Sequence, residues 1–334
     1  MTMNHQESPP APAATGPATL DVVIPVYNEQ EVLPELLRRL AEAGAALPGV
    51  HWRVIFVDDG SQDQSAAILA DRQKTDAHLA VLRLSRNFGH QAAISAGLTH
   101  ADADAVVVMD ADLQDPPELI PDLVAAWRQG GQVVLAQRRS RKERGVRRLG
   151  FELFGHVMAL MADFPVARAT GVFCLLDRTA VEQITRLGER HRFLPGLRSW
   201  IGFEQRIVPY DRQERAASQP KQSFRRLVRY AFDGIFSFSY LPLRMMTYVG
   251  LLVSLLGLAI AAYFIVKRLV GAEHAPMGFT TLVTLVLVLG GLNLTCLGLL
   301  GEYLGRVYDE VKQRPIYIVA RRLGIGPPPA RPNP

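Results

Sequence analysis

The sequence predicts an α/β protein, with a mostly parallel sheet followed by a membrane hairpin of two helices. Three observations predict it. Apolar, β-branched runs alternate with segments of helical periodicity from Leu20 to Arg138. Polar clusters fall at the carboxyl end of several of those runs. Two long charge-free stretches follow towards the C-terminus.

The elements follow in order. The first twenty residues, MTMNHQESPPAPAATGPATL, lack the charged start and apolar centre of a signal peptide, and residues 1–19 are expected to be a disordered tail. LDVVIPV suits a strand buried on both faces. Val32, Leu33, Leu36, Leu37 and Leu40 then repeat at helical spacing. WRVIFVDDGS is a second strand, ending in Asp58 and Asp59, and Gln62 to Gln73 is helical. LAVLRLS is a third strand, HQAAISAGLTHA a helix of small residues, AVVVMDAD a fourth strand, PELIPDLVAAWRQG a helix and QVVLAQR a fifth strand. Alternating strand and helix argues for a parallel sheet covered on both faces. Ligands of such sheets sit at the carboxyl ends of the strands, where PVYNE, DDGS and DADLQD lie.

The chain has 334 residues, 49% of them apolar. That excess is local. Met245 to Val266 and Ala275 to Gly301 carry no charged residue, and roughly 20 apolar residues cross a bilayer as a helix. Buried core helices are the competing reading, but the runs are too long and too uniformly apolar for it. The spans are placed at about 245–266 and 277–301, within 244–302. Arg225, Arg226, Arg229 and Arg244 precede them, and Arg306, Lys312, Arg314, Arg321 and Arg322 follow. The connecting loop has only Lys267 and Arg268 as its basic residues. The positive-inside rule therefore puts both termini, and the large N-terminal part, in the cytoplasm. Residues 303–334 are expected to be a cytoplasmic tail.

Other classes fall away. Cys174 and Cys296 are far apart and give neither a disulfide framework nor a zinc site. The net charge of +5 is modest, and no nucleic-acid partner is expected.

Asp110 and Asp112 flank Ala111, and in an extended segment residues two apart point the same way. Two carboxylates aimed at one place repel unless a cation sits between them, and oxygen ligands suit Mg²⁺ or Mn²⁺. The bland alternative is a solvated turn with helix-capping acids. Asp115, just before Pro116 and Pro117, fits that alternative well.

Taken together, VVIPVYNEQEVL, FVDDGSQDQS, LSRNFGHQAAISAGL, MDADLQDPPELI, IGFEQRIVPYDRQERAA, DGIFSFS and GEYLGRVYDEVKQRPIYIV resemble the family 2 glycosyltransferases of GT-A fold. More narrowly, the set is similar to the polyprenyl-phosphate sugar transferases, the group of dolichol-phosphate mannose synthase and bacterial undecaprenyl-phosphate glycosyltransferases. The resemblance implies a GT-A domain over residues 20–222. It implies that Pro25, Tyr27, Asn28 and Glu29 line the nucleotide pocket. It implies that Asp58 and Asp59 hold base and ribose, with Asp59 the base partner. It implies that Asp110, Asp112 and Gln114 surround metal and diphosphate, with Asp112 the first choice of direct ligand. Many relatives carry an acid in a TGDF-like segment, where this chain has Val172 in ATGVFCLL. QPKQS also departs from an ESKY-like stretch, keeping Lys221.

Chemistry fits the resemblance. A divalent ion on the diphosphate neutralises charge as the sugar leaves. A lipid phosphate, with its second pKa of about 6, is largely ionised near neutral pH and needs little help from a base. A hydroxyl acceptor would need one, so Val172 weighs against it.

RRSRKERGVRR carries seven basic residues and one acid. It reads either as a solvated face or as a phosphate contact, with Arg138 on the donor diphosphate. Arg139, Arg141, Arg215 and Lys221 are candidates for acceptor or other phosphate contacts. In residues 223–243, Phe224, Leu227, Val228, Ala231, Phe232, Ile235 and Phe236 form a helical stripe away from Arg225, Arg226 and Arg229. Such a helix lies in a membrane interface or packs on the catalytic domain. His90, alone at a helix start, reads as structural. Trp200 in RSWIGF resembles the QxxRW motif of processive synthases, but the order differs.

The expected function is inverting transfer of one sugar, a hexose such as glucose, from a nucleotide donor (a UDP-sugar) to polyprenyl phosphate at the cytoplasmic face of the inner membrane, by a homo-oligomer. Transfer of an aminopentose to the same lipid, as in lipid A modification, is one alternative. A non-catalytic scaffold that binds nucleotide sugars is another.

Overall fold

The computed structural model describes residues 18–139, 170–190, 192–210 and 278–329, with scattered helical positions between 246 and 266. Eight strands form one sheet: β1 (Ala18–Val26), β2 (Val50–Asp58), β3 (Leu79–Leu84), β4 (Ala105–Val108), β5 (Val133–Arg138), β6 (Thr170–Asp177), β7 (Gln205–Tyr210) and β8 (Val319–Leu323). Their order is β7-β5-β6-β4-β1-β2-β3-β8. The pairs β1–β2, β1–β4, β2–β3 and β5–β7 are parallel. β6 runs antiparallel between β4 and β5, and β8 antiparallel to β3. The expected α/β architecture with a mostly parallel sheet is what forms, and β6, β7 and β8 extend the five strands read from the sequence.

Both faces are covered, which explains the unbroken apolar runs. Side chains alternate across the sheet with a period of two. Leu20, Val22 and Ile24 of β1 join Phe56, Val107 and Leu175 on one face. There they meet Leu33, Leu36 and Leu40 of α1 (Leu33–Ala45) and Leu123 of α4 (Ile120–Arg128), with α2 (Ser65–Thr75) supplying Leu69. Val23, Ile55, Val57, Val106 and Val108 point to the other face, onto α3 (His90–His100), α5 (Arg178–Arg186) and α6 (Leu194–Trp200). Each fully buried leucine contributes about 1.5–3 kcal/mol relative to exposure. The small residues of α3 let it lie close to β1. A Cβ on Gly97 would come within 2.2 Å of Val23 Cγ1.

Pro25 stands inside β1 without breaking the sheet. β4 pairs with β1 only as far as Val23–Val108, so Pro25 lies beyond the stretch where a second neighbour would need its N–H.

The segment 303–334 is more than a tail. α7 (Phe279–Val311) continues past the charge-free stretch, and its Glu310 Oε1 accepts the Arg190 N–H at 2.8 Å. The chain then pairs as β8 with β3, and Ile318 O accepts from Ser85 N at 2.9 Å. Arg321 and Arg322 occupy β8, the charged edge strand at this end of the sheet, and such charges discourage pairing with another chain. On α7, Leu282, Leu285, Leu289, Leu297 and Leu300 are exposed. Taken over the described residues alone, no helix is long and apolar enough to cross a membrane. The amphipathic helix expected at 223–243 lies outside the described residues.

Candidate active site

The carboxyl ends of β1, β2, β4, β5 and β7 share one edge with the start of β6, and most of the sequence-predicted residues described by the structure lie there. Beyond β4 burial alternates along the chain. Met109, Ala111 and Leu113 are buried, while Asp110, Asp112 and Gln114 are partly exposed. The two carboxylates and the amide thus stay open to solvent at this edge. Leu113 has a φ of 59°, in the left-handed region a leucine rarely enters. Its burial in the core holds that conformation, and Gln114 N donates to Asp112 Oδ1 at 3.2 Å.

Asp115 corrects the helix-cap expectation. The same alternation turns it inward, where it is 2% exposed. Its Oδ1 accepts from the Tyr210 hydroxyl at 2.9 Å, and Arg138 Nη2 stands 4.0 Å away. Arg138 Nε also donates to Tyr210 Oη at 3.2 Å. The 3-10 turn Pro117–Leu119 begins after Pro116 with no side-chain cap. Glu118 instead holds Arg39 of α1 through two bonds, of 2.7 and 2.5 Å. Burial pushes the Asp115 carboxyl up to about 6, and the Asp110 charge pushes the same way, against Tyr210 and Arg138. Burial and Asp115 push the Tyr210 hydroxyl up to about 12.

On the side expected to take the nucleotide, two loops are zipped together. Asn28 N donates to Ser61 Oγ at 3.0 Å, Gln62 N to Asn28 Oδ1 at 2.9 Å, and Glu29 N to Ser65 Oγ at 2.9 Å. Asn28 has a φ of 54°, which its short polar side chain tolerates. Tyr27 stands 41% exposed at the rim. Asp58 Oδ1 accepts from Ser61 N, and its Oδ2 lies 3.3 Å from Arg83 Nε. Asp59 grips the next loop. Its two oxygens accept from Phe88 N at 2.7 Å and Gly89 N at 2.9 Å. Gly60, with a φ of 71°, approaches that loop so closely that a Cβ would sit 2.6 Å from the Arg86 carbonyl carbon. Both carboxylates expected to hold base and ribose are therefore engaged by their own loops. β8 reaches this side as well, since Arg321 and Leu323 line a small cavity with Asp58 and Arg83.

His90 Nε2 lies 2.8 Å from Asp110 Oδ1. Burial pulls the imidazole pKa down, but the Asp110 charge and hydrogen bond outweigh it, and the net shift is upward.

Val172, where a base is often found, is buried in the core at 8% exposure. A Cβ on neighbouring Gly171 would meet Arg138 Nη2 at 3.3 Å, so the start of β6 lies against Arg138. Arg139 is exposed beside it. Arg141, Arg215 and Lys221 lie outside the described residues.

Residues 21–185 match Glycosyl transferase family 2, and residues 241–307 match the GtrB C-terminal hairpin. An uncharacterised glycosyltransferase of Synechocystis sp. is 44% identical over 92% of this chain and 96% of its own length. The bactoprenol glucosyl transferase of Shigella phage SfII is 38% identical over 90% of this chain and 97% of its own. The chain belongs to glycosyl transferase family 2. The Escherichia coli prophage bactoprenol glucosyl transferase homolog is 37% identical to this glycosyltransferase, over 90% of the chain and 98% of its own length. Mannosyl-3-phosphoglycerate synthase from Rubrobacter xylanophilus aligns over 78% of each chain at 18% identity with a TM-score of 0.43, too low to carry an argument.

The donor set of this glycosyltransferase fits a divalent cation shared with a ligand. Asp110, Asp112 and Gln114 offer only oxygen donors besides the amide nitrogen, and both aspartate charges raise the Asp115 pKa, so negative charge is crowded here. Among the described residues no three His, Cys, Asp or Glu side chains are placed to hold a metal by themselves.

Proposed function

We propose that this glycosyltransferase moves one glucose from UDP-glucose to undecaprenyl (bactoprenol) phosphate, with inversion, at the cytoplasmic face of the inner membrane. The observation that carries this reading is the outward row of Asp110, Asp112 and Gln114 at the carboxyl edge of the sheet. The names of the bactoprenol glucosyl transferases, which this chain matches over nearly their whole length, support the sugar and the lipid.

Asp110, Asp112 and Gln114 would hold Mg²⁺ or Mn²⁺, which when bound neutralises charge on the leaving diphosphate. Arg138, oriented by Tyr210 and Asp115, supplies a guanidinium for the donor phosphates. Val172 supplies no proton acceptor, which suits an acceptor phosphate that is already ionised. Tyr27 and the zipped loops form the wall for the nucleotide.

The charge-free stretches 245–266 and 277–301 support a two-helix hairpin in the bilayer. Glu310 and β8 then tie the second span to the catalytic sheet, which keeps the site close to the lipid headgroups.

A panel of labelled nucleotide sugars, incubated with purified full-length protein, Mn²⁺ and undecaprenyl phosphate, tests the donor. Label is expected in the lipid fraction from UDP-glucose. Labelling only from an aminopentose donor would replace glucose with the aminopentose. Labelling from no donor would leave a scaffold that only binds nucleotide sugar.

A further inference from the structure

Asp110, beyond the end of β4, is bonded by His90, whose Nε2 is 2.8 Å from Oδ1. An ionised carboxylate only accepts, so His90 is the donor and carries its proton on Nε2. The backbone that carries His90 is itself fixed. His90 is the first residue of α3, and the two residues before it donate their backbone N–H groups to the two oxygens of Asp59. Asp59 is 3% exposed and cannot swing away. On the other side, Gln91 Oε1 accepts from Leu194 N at 2.9 Å, which pins the first turn of α3 to α6. A chain of contacts therefore runs from the nucleotide-side carboxylate Asp59, through the loop 88–89, to His90 and on to Asp110.

Resting on the sugar-transfer reading above, we propose that His90 is a positioning residue that holds the Asp110 carboxylate, so that Asp110 and Asp112 meet the divalent cation in one fixed arrangement. It adds a role to His90 beyond its place at the start of α3. Hydrogen bonds behind metal ligands act in this way, and removing one costs roughly 10- to 100-fold in metal affinity or activity. Asp59 has a matching part, holding the loop that aims His90.

The test measures Mn²⁺ affinity directly, from the free-Mn²⁺ electron paramagnetic resonance signal, with purified full-length protein and saturating UDP. His90→Ala is expected to weaken Mn²⁺ binding about tenfold. His90→Gln, whose amide N–H reaches a similar point, is expected to regain most of that loss. In transfer assays the Mn²⁺ concentration for half-maximal rate should rise for His90→Ala while kcat at saturating Mn²⁺ stays near the parent value. Parental Mn²⁺ affinity in His90→Ala would overturn the proposal. So would a loss that His90→Gln does not restore and that tracks a lowered unfolding midpoint, because that is a purely structural role. If the unmodified protein neither binds Mn²⁺ nor transfers sugar, the sugar-transfer reading itself fails, and this proposal with it.

Discussion

Asp112→Asn is expected to lower kcat for sugar transfer by roughly 100- to 1,000-fold, the scale seen when a single charge-stabilising group at a transition state is lost. The substitution is nearly isosteric. Its position is partly exposed, so the fold should be unaffected. What disappears is one of two negative charges that a cation would bridge to the donor diphosphate. The accepting bond from Gln114 N can persist through the asparagine Oδ1, so the loop keeps its shape. Rates with saturating UDP-glucose and lipid phosphate, measured for parent and variant alongside thermal unfolding, check the expectation. A variant that unfolds like the parent and transfers at the parental rate would remove Asp112 from the chemistry.

The second large effect is on stability and its pH dependence, at Asp115. Asp115→Ala leaves the buried Tyr210 hydroxyl without its acceptor and Arg138 without its neighbouring charge. A cost of about 1–3 kcal/mol is expected for such an orphaned buried group. Asp115→Asn keeps an acceptor but removes the titration. In the folded protein the Asp115 pKa is raised to about 6, above the ordinary aspartate value of about 3.9. A raised carboxyl pKa means that folding favours the protonated form. Its favourable contribution is complete below the unfolded pKa and is lost as pH rises through the folded one. In the presence of a chelator, the parent should therefore lose stability relative to Asp115→Asn between about pH 4 and pH 6, by up to about 3 kcal/mol. Denaturant midpoints of both proteins at pH 4.5 and pH 7.5 give the comparison. A constant difference across that range would mean that Asp115 is not perturbed.

The same stretch shows how far the sequence could be read. MDADLQD alternates apolar and polar residues, and burial alternates with it, leaving Asp110, Asp112 and Gln114 partly exposed. Continued by one step, it turns Asp115 inward beside Met109, Ala111 and Leu113. The signal was present, but the two prolines that follow suggested a solvated helix start instead. Its partners Tyr210 and Arg138 come from β7 and β5, distant in sequence, and no local pattern could join them.

Strands β1 to β5 were legible because each is a short apolar run bounded by polar turns. β8 was not, because two of its five residues, Arg321 and Arg322, are charged and the strand sits at an edge where one side faces solvent. Asp58 and Asp59 were placed correctly at the end of β2. Their grip on Ser61, Phe88 and Gly89 depends on how neighbouring loops fold back, which adjacency in sequence does not record. His90 is the same case: a lone histidine acquires meaning only when α3 sets it against β4's carboxyl end.

The most direct measurement of the central claim is mass spectrometry of the lipid product made by purified full-length protein from UDP-glucose, with undecaprenyl phosphate and undecaprenol offered side by side, with Mn²⁺ or with EDTA. The expected result is a single hexose on undecaprenyl phosphate, joined as a phosphodiester, formed with Mn²⁺ and abolished by EDTA. Hexose on undecaprenol, or lipid-linked hexose formed equally well in EDTA, would contradict it.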